Sequence, residues 1–201
     1  MTKAVTPRCA RCDDKKCSDG KDCFGQAEHH QSFYQDSKIG RWHRAASAIE
    51  ARYYCKEPRI SEIILFAKEL GCKKLGLCFC IGLSPEAKIV EEILAGHFEV
   101  VSVCCKSCGL KKDDYDLEKI EPDTDEVMCN PAGQADLLNR AGTKLNVLCG
   151  LCVGHDAIFY KMSEAPVTTL IVKDRVLGHN PVAAIYCRYI RRKFLPEESS
   201  K

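Results

Sequence analysis

The sequence predicts an α/β fold: a three-layer sandwich around a mostly parallel four-stranded sheet, preceded by a small N-terminal four-cysteine metal module. Three observations carry this expectation. Four short apolar runs alternate with helical segments between residues 74 and 191, the rhythm of parallel strands joined by right-handed crossovers. The chain has 201 residues, enough to bury a core without covalent staples. Residues 1–25, by contrast, hold four cysteines and few apolar side chains, so that stretch has no core of its own and needs a metal to fold.

The boundaries expected are a cysteine-rich module over residues 1–27 and an α/β domain over residues 39–195, with 28–38 as a polar connector. From Arg41 to Tyr54, Trp42, Ala45, Ala46, Ile49 and Tyr53 recur at helical spacing. The pattern repeats from Ile60 to Leu70 and stops at Gly71. KLGLCFCI at 74–81 reads as a buried strand. Ser84 then caps a helix that opens on Pro85 and runs to Ala95. FEVVSVCC at 98–105 is the second strand. Asn130-Pro131 opens a helix to about Arg140, and LNVLCGLC at 145–152 is the third strand. A short helix at 156–162 leads to the β-branched fourth strand, VTTLIVK at 167–173. Asn180-Pro181 begins a last helix to about Arg191, and the tail PEESSK is expected to be disordered. Residues 106–128 interrupt the rhythm with an acid-rich connection, which reads either as a lid or as a solvated surface loop.

A net charge of +2 gives no general attraction to nucleic acid or anionic lipid, so neither is expected as a partner. No apolar run has the length of a membrane span, and the N-terminus lacks a signal-peptide pattern. A cytoplasmic location is therefore expected. There the 15 cysteines, an odd number, are kept as thiols or metal ligands rather than disulfides.

Cys9, Cys12, Cys17 and Cys23 give the spacing C-x2-C-x4-C-x5-C, four thiolates close enough in sequence to wrap one ion or cluster. The set suits zinc, and its first three members equally suit a [4Fe–4S] cluster. A zinc knuckle raises the question of RNA. Six basic side chains among residues 1–25 are offset by four acids, with Phe24 alone for stacking, which is a weak footprint.

The remaining cysteines gather where the predicted fold would place a ligand, beyond the carboxyl ends of the strands. Cys80 closes the first strand, Cys105 the second and Cys152 the third, while Cys129 precedes a helix start whose dipole favours a thiolate. Cys104 and Cys105 point to opposite faces, and the later one is expected at the site. Cys80, Cys105, Cys129 and Cys152 form the expected cofactor-binding set, with Cys108 and His155 in reserve. Cys78 and Cys149 are read as core thiols, and Cys55, Cys72 and Cys187 as inert. Lys173 and Arg175, at the end of the fourth strand, would offset the charge of a centre or hold an anionic substrate. His29, His30 and His179 are read as ordinary exposed or structural histidines.

The segments CARCDDKKC, CIGL at 80–83, CCK at 104–106 and the block MCNPAGQADLLNRAGTKLNVLCGLCVGHDAIFYKMSEAPVTTLIVKDRVLGHNPVAAIY carry a resemblance over nearly the whole chain. It resembles an uncharacterised family of bacterial and archaeal cysteine-rich proteins, a domain of unknown function described only as metal-binding. The resemblance implies metal binding and a cytoplasmic home, and no established reaction. The residues point to an iron–sulfur protein, [4Fe–4S] first, acting in redox or sulfur chemistry with a small-molecule substrate or a redox partner protein. As an enzyme it would be an oxidoreductase or a sulfur-transfer or desulfidase type. The alternative is a zinc protein, as sensor, carrier or adaptor, without catalysis. No Walker loop, dinucleotide fingerprint or nucleophile elbow is present.

Overall fold

The structure, a computed structural model, describes residues 6–35 and 37–195. The tail expected to be disordered, residues 196–201, lies outside the described residues. The chain divides into two compact units, Met1–Tyr54 and Cys55–Lys201.

The first unit begins with two 3-10 turns, Cys9–Arg11 and Lys16–Asp19, followed by helices α1 (Ala27–Gln31) and α2 (Lys38–Tyr53). Helix α1, exposed throughout, falls largely within the expected polar connector. The Asp22 carboxylate accepts from the Ala27 amide at 2.9 Å and the Phe24 amide at 3.1 Å, satisfying amides at the helix start. His30 stacks on Phe33 at 5.6 Å between ring centroids. Ser37 caps α2 by accepting from the Gly40 amide at 2.9 Å.

The second unit carries the sheet. Helix α3 (Arg59–Glu69) ends at Gly71, whose φ of +68° is left-handed. Then follow β1 (Lys74–Phe79), α4 (Ser84–Ala95), β2 (Glu99–Cys104), α5 (Pro131–Arg140), β3 (Leu145–Cys149), α6 (His155–Met162) and β4 (Val167–Ile171). The strands run β2-β1-β3-β4 and every pair is parallel. Buried on both faces, β1 and β3 are continuous apolar runs rather than alternating ones. Helices α4 and α5 both pack on β1 and β2, and α6 packs on α5. Ser102 on β2 meets Glu91 of α4 at 3.0 Å, so Val101 and Val103 face the other way, into the core shared with Ala135, Leu138 and Phe159. The expected three-layer α/β sandwich is therefore the observed fold. Its strand order reverses direction at β1 and β3, and open parallel sheets bind ligands beyond the strand ends at such a point.

Several local expectations are corrected. Ser84 is not a cap: it has helical dihedrals, and its hydroxyl donates to the Ile81 carbonyl at 2.7 Å, closing the turn Ile81–Leu83. Strand β3 stops at Cys149 because Gly150 turns to φ +67°, so Cys152 lies in the following loop rather than at a strand end. Strand β4 stops at Ile171. The last helix is broken into α7 (Val182–Tyr186) and α8 (Arg188–Arg191), because Cys187 takes extended dihedrals between them. Asn130 behaves as expected: its side chain accepts from the Gly133 amide at 2.9 Å and caps α5.

The acid-rich connection is a closed loop. Met128 donates to the Leu110 carbonyl at 2.7 Å and Lys112 to the Glu126 carbonyl at 2.9 Å, pairing the two ends of the loop. The Lys112 ammonium sits inside, 2.9 Å from the Glu126 carboxylate and 2.8 Å from the Glu118 carbonyl. Both members of that ion pair are largely shielded, at 17% and 18% exposure. Glu126 also accepts from the Ile120 amide at 2.8 Å. The run of acids is thus organised around one lysine, and its carboxylates are further offset by Lys111 on Asp125 and Lys119 on Asp113.

Candidate functional site

The strand order puts the carboxyl ends of β2, β1 and β3 side by side. Cys80 follows β1, and its amide donates to the Cys149 carbonyl at 3.2 Å. Cys105 follows β2, with its amide on the Phe79 carbonyl at 2.9 Å. Cys129 reaches the same place because the Asn130 amide donates to the Cys105 carbonyl at 2.7 Å, docking the start of α5 against the end of β2. The Cys129 and Cys105 sulfurs are 3.8 Å apart.

Electrostatically, these three thiols behave as a unit. Hydrogen bonding from Cys105 depresses the Cys80 thiol, against the opposing effect of burial, and Lys173 lowers it further. Cys129 is depressed by the same Cys105 thiol, helped by the charges of Lys106 and His155. Cys105, the middle group, is correspondingly raised by its hydrogen bonds with Cys129 and Cys80 and by burial. Cys80 and Cys129 are thus held toward the thiolate and Cys105 toward the thiol. The Ile81 amide donates to that middle sulfur at 3.3 Å, and Lys173 Nζ donates to Cys80 Sγ at 2.8 Å.

Cys152 lines the same cleft, but its sulfur accepts from an Arg175 guanidinium nitrogen at 2.8 Å rather than from another thiol. Burial raises its thiol, and Arg175 partly opposes this. His155 also lines the cleft, at the first turn of α6. Cys108 does not: it is exposed, at φ +68° in the turn that opens the acid-rich loop. Cys78 and Cys149 are buried, and burial pushes both thiols up, Cys149 to about 11. Cys55 and Cys187 are exposed and Cys72 is buried, all three away from the cleft lining.

The cleft has a volume of about 520 Å³, within the range of small-molecule sites. Cys80, Cys129 and Cys152 line it, Cys105 is buried at 2% exposure and does not, and the acid-rich loop contributes Leu117, Ile120, Glu126 and Met128. Lys106, Lys112 and Gln134 were not among the sequence candidates. Gln134 is fully buried and its Nε2 donates to the Phe79 carbonyl at 3.1 Å and the Val103 carbonyl at 2.7 Å, tying together the strand ends that carry Cys80 and Cys105. A signal for it exists: a glutamine standing on the apolar stripe Pro131, Ala135, Leu138 of α5.

In the first unit, Cys9, Cys12, Cys17 and Cys23 are exposed and all line one concavity of about 380 Å³. Backbone amides of Lys15 and Asp14 depress the Cys12 thiol, the amide-to-sulfur geometry expected of a knuckle. Among the described residues, no three His, Cys, Asp or Glu side chains stand ready at metal-coordinating positions. Both groups fit a metal by donor chemistry: free thiols, several per group, with amide or cationic donors on the sulfurs. Deleting residues 1–25 is expected to leave the unit beginning at Cys55 folded and to remove one metal centre per chain. Circular dichroism and metal analysis of the truncated protein check this, and an unchanged metal content would show that the four N-terminal cysteines form no site.

The family described as "Protein of unknown function (DUF1847)" matches residues 19–170, three quarters of the chain. The chain belongs to this family. An uncharacterized protein of Methanocaldococcus jannaschii is 49% identical over 191 residues, covering 94% of this chain and 98% of the relative. No solved structure matches. The matched DUF1847 segment contains Cys80, Cys105, Cys129 and Cys152 and stops short of Lys173 and Arg175. Among the described residues, no helix is long and apolar enough to cross a membrane.

Proposed function

We propose that this is a cytoplasmic iron–sulfur protein whose cleft centre, held by Cys80, Cys105 and Cys129, serves redox or sulfur chemistry on a small molecule. Cys152, held on Arg175 in the same cleft, is left out of this set, so that one position of the centre would stay open. The observation that carries the reading is that Cys105 meets both Cys129, at 3.8 Å, and Cys80, three thiols from three separate chain segments. Adjacent thiolates repel, and a cationic centre would relieve that repulsion. Loading would release the proton from Cys105, as thiolate–metal binding requires. The Ile81 amide on Cys105 and Lys173 on Cys80 are the kind of contacts that tune cluster potentials. Electrons would come from a redox partner protein, and the open position would meet the substrate.

One observation favours a second reading, a single zinc ion. Two thiolates of a tetrahedral centre with bonds of ~2.3 Å lie ~3.8 Å apart, and the Cys105–Cys129 separation is 3.8 Å. Anaerobic purification separates the two. The iron–sulfur reading expects brown protein, broad absorption near ~400 nm, and iron with acid-labile sulfide. Colourless protein with stoichiometric zinc would overturn it in favour of the zinc reading, at the cleft and at the N-terminal group alike.

A further inference from the structure

The cleft's chemistry is divided between cationic groups and an apolar wall. Lys106, Lys173 and Arg175 face it, and among the described residues none of the three pairs with a carboxylate. Lys106 donates to the neutral Val127 carbonyl, and Lys173 and Arg175 donate to sulfur. Of the two acids in the lining, Glu126 pairs with Lys112, while Glu118 meets that lysine only through its backbone carbonyl, so one carboxylate stands against these three cations. Asp174, between Lys173 and Arg175, turns away to cap its own turn, accepting from the Val176 amide at 2.9 Å and the Leu177 amide at 2.8 Å. The same lining includes the apolar side chains of Leu117, Ile120 and Met128, and Ile120 is 84% exposed.

We propose that the cleft binds a small organic anion, its charged end on Arg175, Lys173 and Lys106 and its hydrocarbon body against Leu117, Ile120 and Met128. This rests on the reading of the cleft as the place where substrate meets the sulfurs, and is independent of which metal they hold. The anion is small, a carboxylate for example, since a cleft of about 520 Å³ leaves no room for a polymer. A guanidinium takes such a group in a two-point fork, and the two ammonium groups add charge without dictating orientation. The apolar wall then selects among anions by the size of the body behind the charge.

Calorimetry on the full chain, purified anaerobically, tests this with three probes: benzoate, benzamide and acetate. Benzoate is expected to bind at least roughly tenfold more tightly than benzamide, which lacks the charge, and than acetate, which lacks the body. Arg175→Gln should weaken benzoate roughly tenfold and leave benzamide unchanged, and Ile120→Ser should weaken benzoate but not acetate. If Arg175→Gln fails to fold, Lys106→Met gives the same comparison from a different segment. Equal affinity for benzoate and benzamide overturns the proposal, as does equal affinity for benzoate and acetate, absence of benzoate binding at millimolar concentration, or indifference of benzoate to the loss of the cation. Iron, zinc and sulfide are measured on the same samples. Their absence would overturn the metal reading alone, while the three-probe comparison would still decide this one.

Discussion

Serine in place of Cys105 is expected to strip the cleft of its metal, with content at that centre falling at least roughly tenfold while the fold survives. Loss of mere supporting partners already costs about 10–100-fold in metal affinity, and Cys105 is more than a support. Its sulfur lies between the other two, 3.8 Å from Cys129 and hydrogen-bonded to Cys80. A serine oxygen sits closer to its β-carbon, is a harder donor and does not ionise near neutral pH. Cys108→Ser provides the control three residues away: its thiol is exposed and outside the cleft lining, and metal content should not move. Metal and sulfide analysis of the two variants decides the matter. A Cys105→Ser protein with its full complement at the cleft would end the case for a shared centre there.

The largest loss of stability is expected at Gly150, from a change of one methyl group. Gly150 has φ +67°, where an L side chain costs roughly 1–2 kcal/mol. A β-carbon there would lie 1.9 Å from Leu83 Cδ1, and Leu83 is itself almost fully buried, so it cannot swing aside freely. Overpacking of that kind costs about 1–3 kcal/mol. Gly150→Ala should therefore lose roughly 2–5 kcal/mol, a fall of roughly 5–15 °C in Tm for a domain of this size. Thermal unfolding followed by circular dichroism measures it. Gly154→Ala makes an informative comparison, because Gly154 shares the positive φ but has nothing within 4 Å of its missing β-carbon. Equal losses at the two positions would mean that the contact with Leu83 contributes nothing.

Gly150 also marks the boundary of what the sequence makes legible. Continuous apolar runs, Asn130-Pro131 as a helix start and the alternation of strand with helix are local signals, and they lead directly to the parallel sheet. The approximate place of Cys80, Cys105 and Cys129 follows from the same signals, because residues just past strand ends share one edge. Cys152 was misplaced as a strand residue, since LNVLCGLC reads as one apolar run and only the backbone shows that Gly150 turns out of it. Helix α1 was missed because its stabilising contacts come from Asp22, five residues before the Ala27 amide it accepts from. The break at Cys187 has no breaker residue to announce it. Which thiols touch was out of reach for a further reason. It depends on a long-range tie, the Asn130 amide on the Cys105 carbonyl, and on Gln134 bridging two strands, and neither is encoded in the spacing of the cysteines.

That tie has a mechanical side. Cys105 and Cys129 are separated by 24 positions, and the acid-rich loop is the chain between them. Its two ends are therefore drawn together at the sulfurs themselves and at the Asn130–Cys105 hydrogen bond. Lys106, Ile120 and Glu126 of that chain line both the cleft and a second concavity, so a change at any of the three is felt at both.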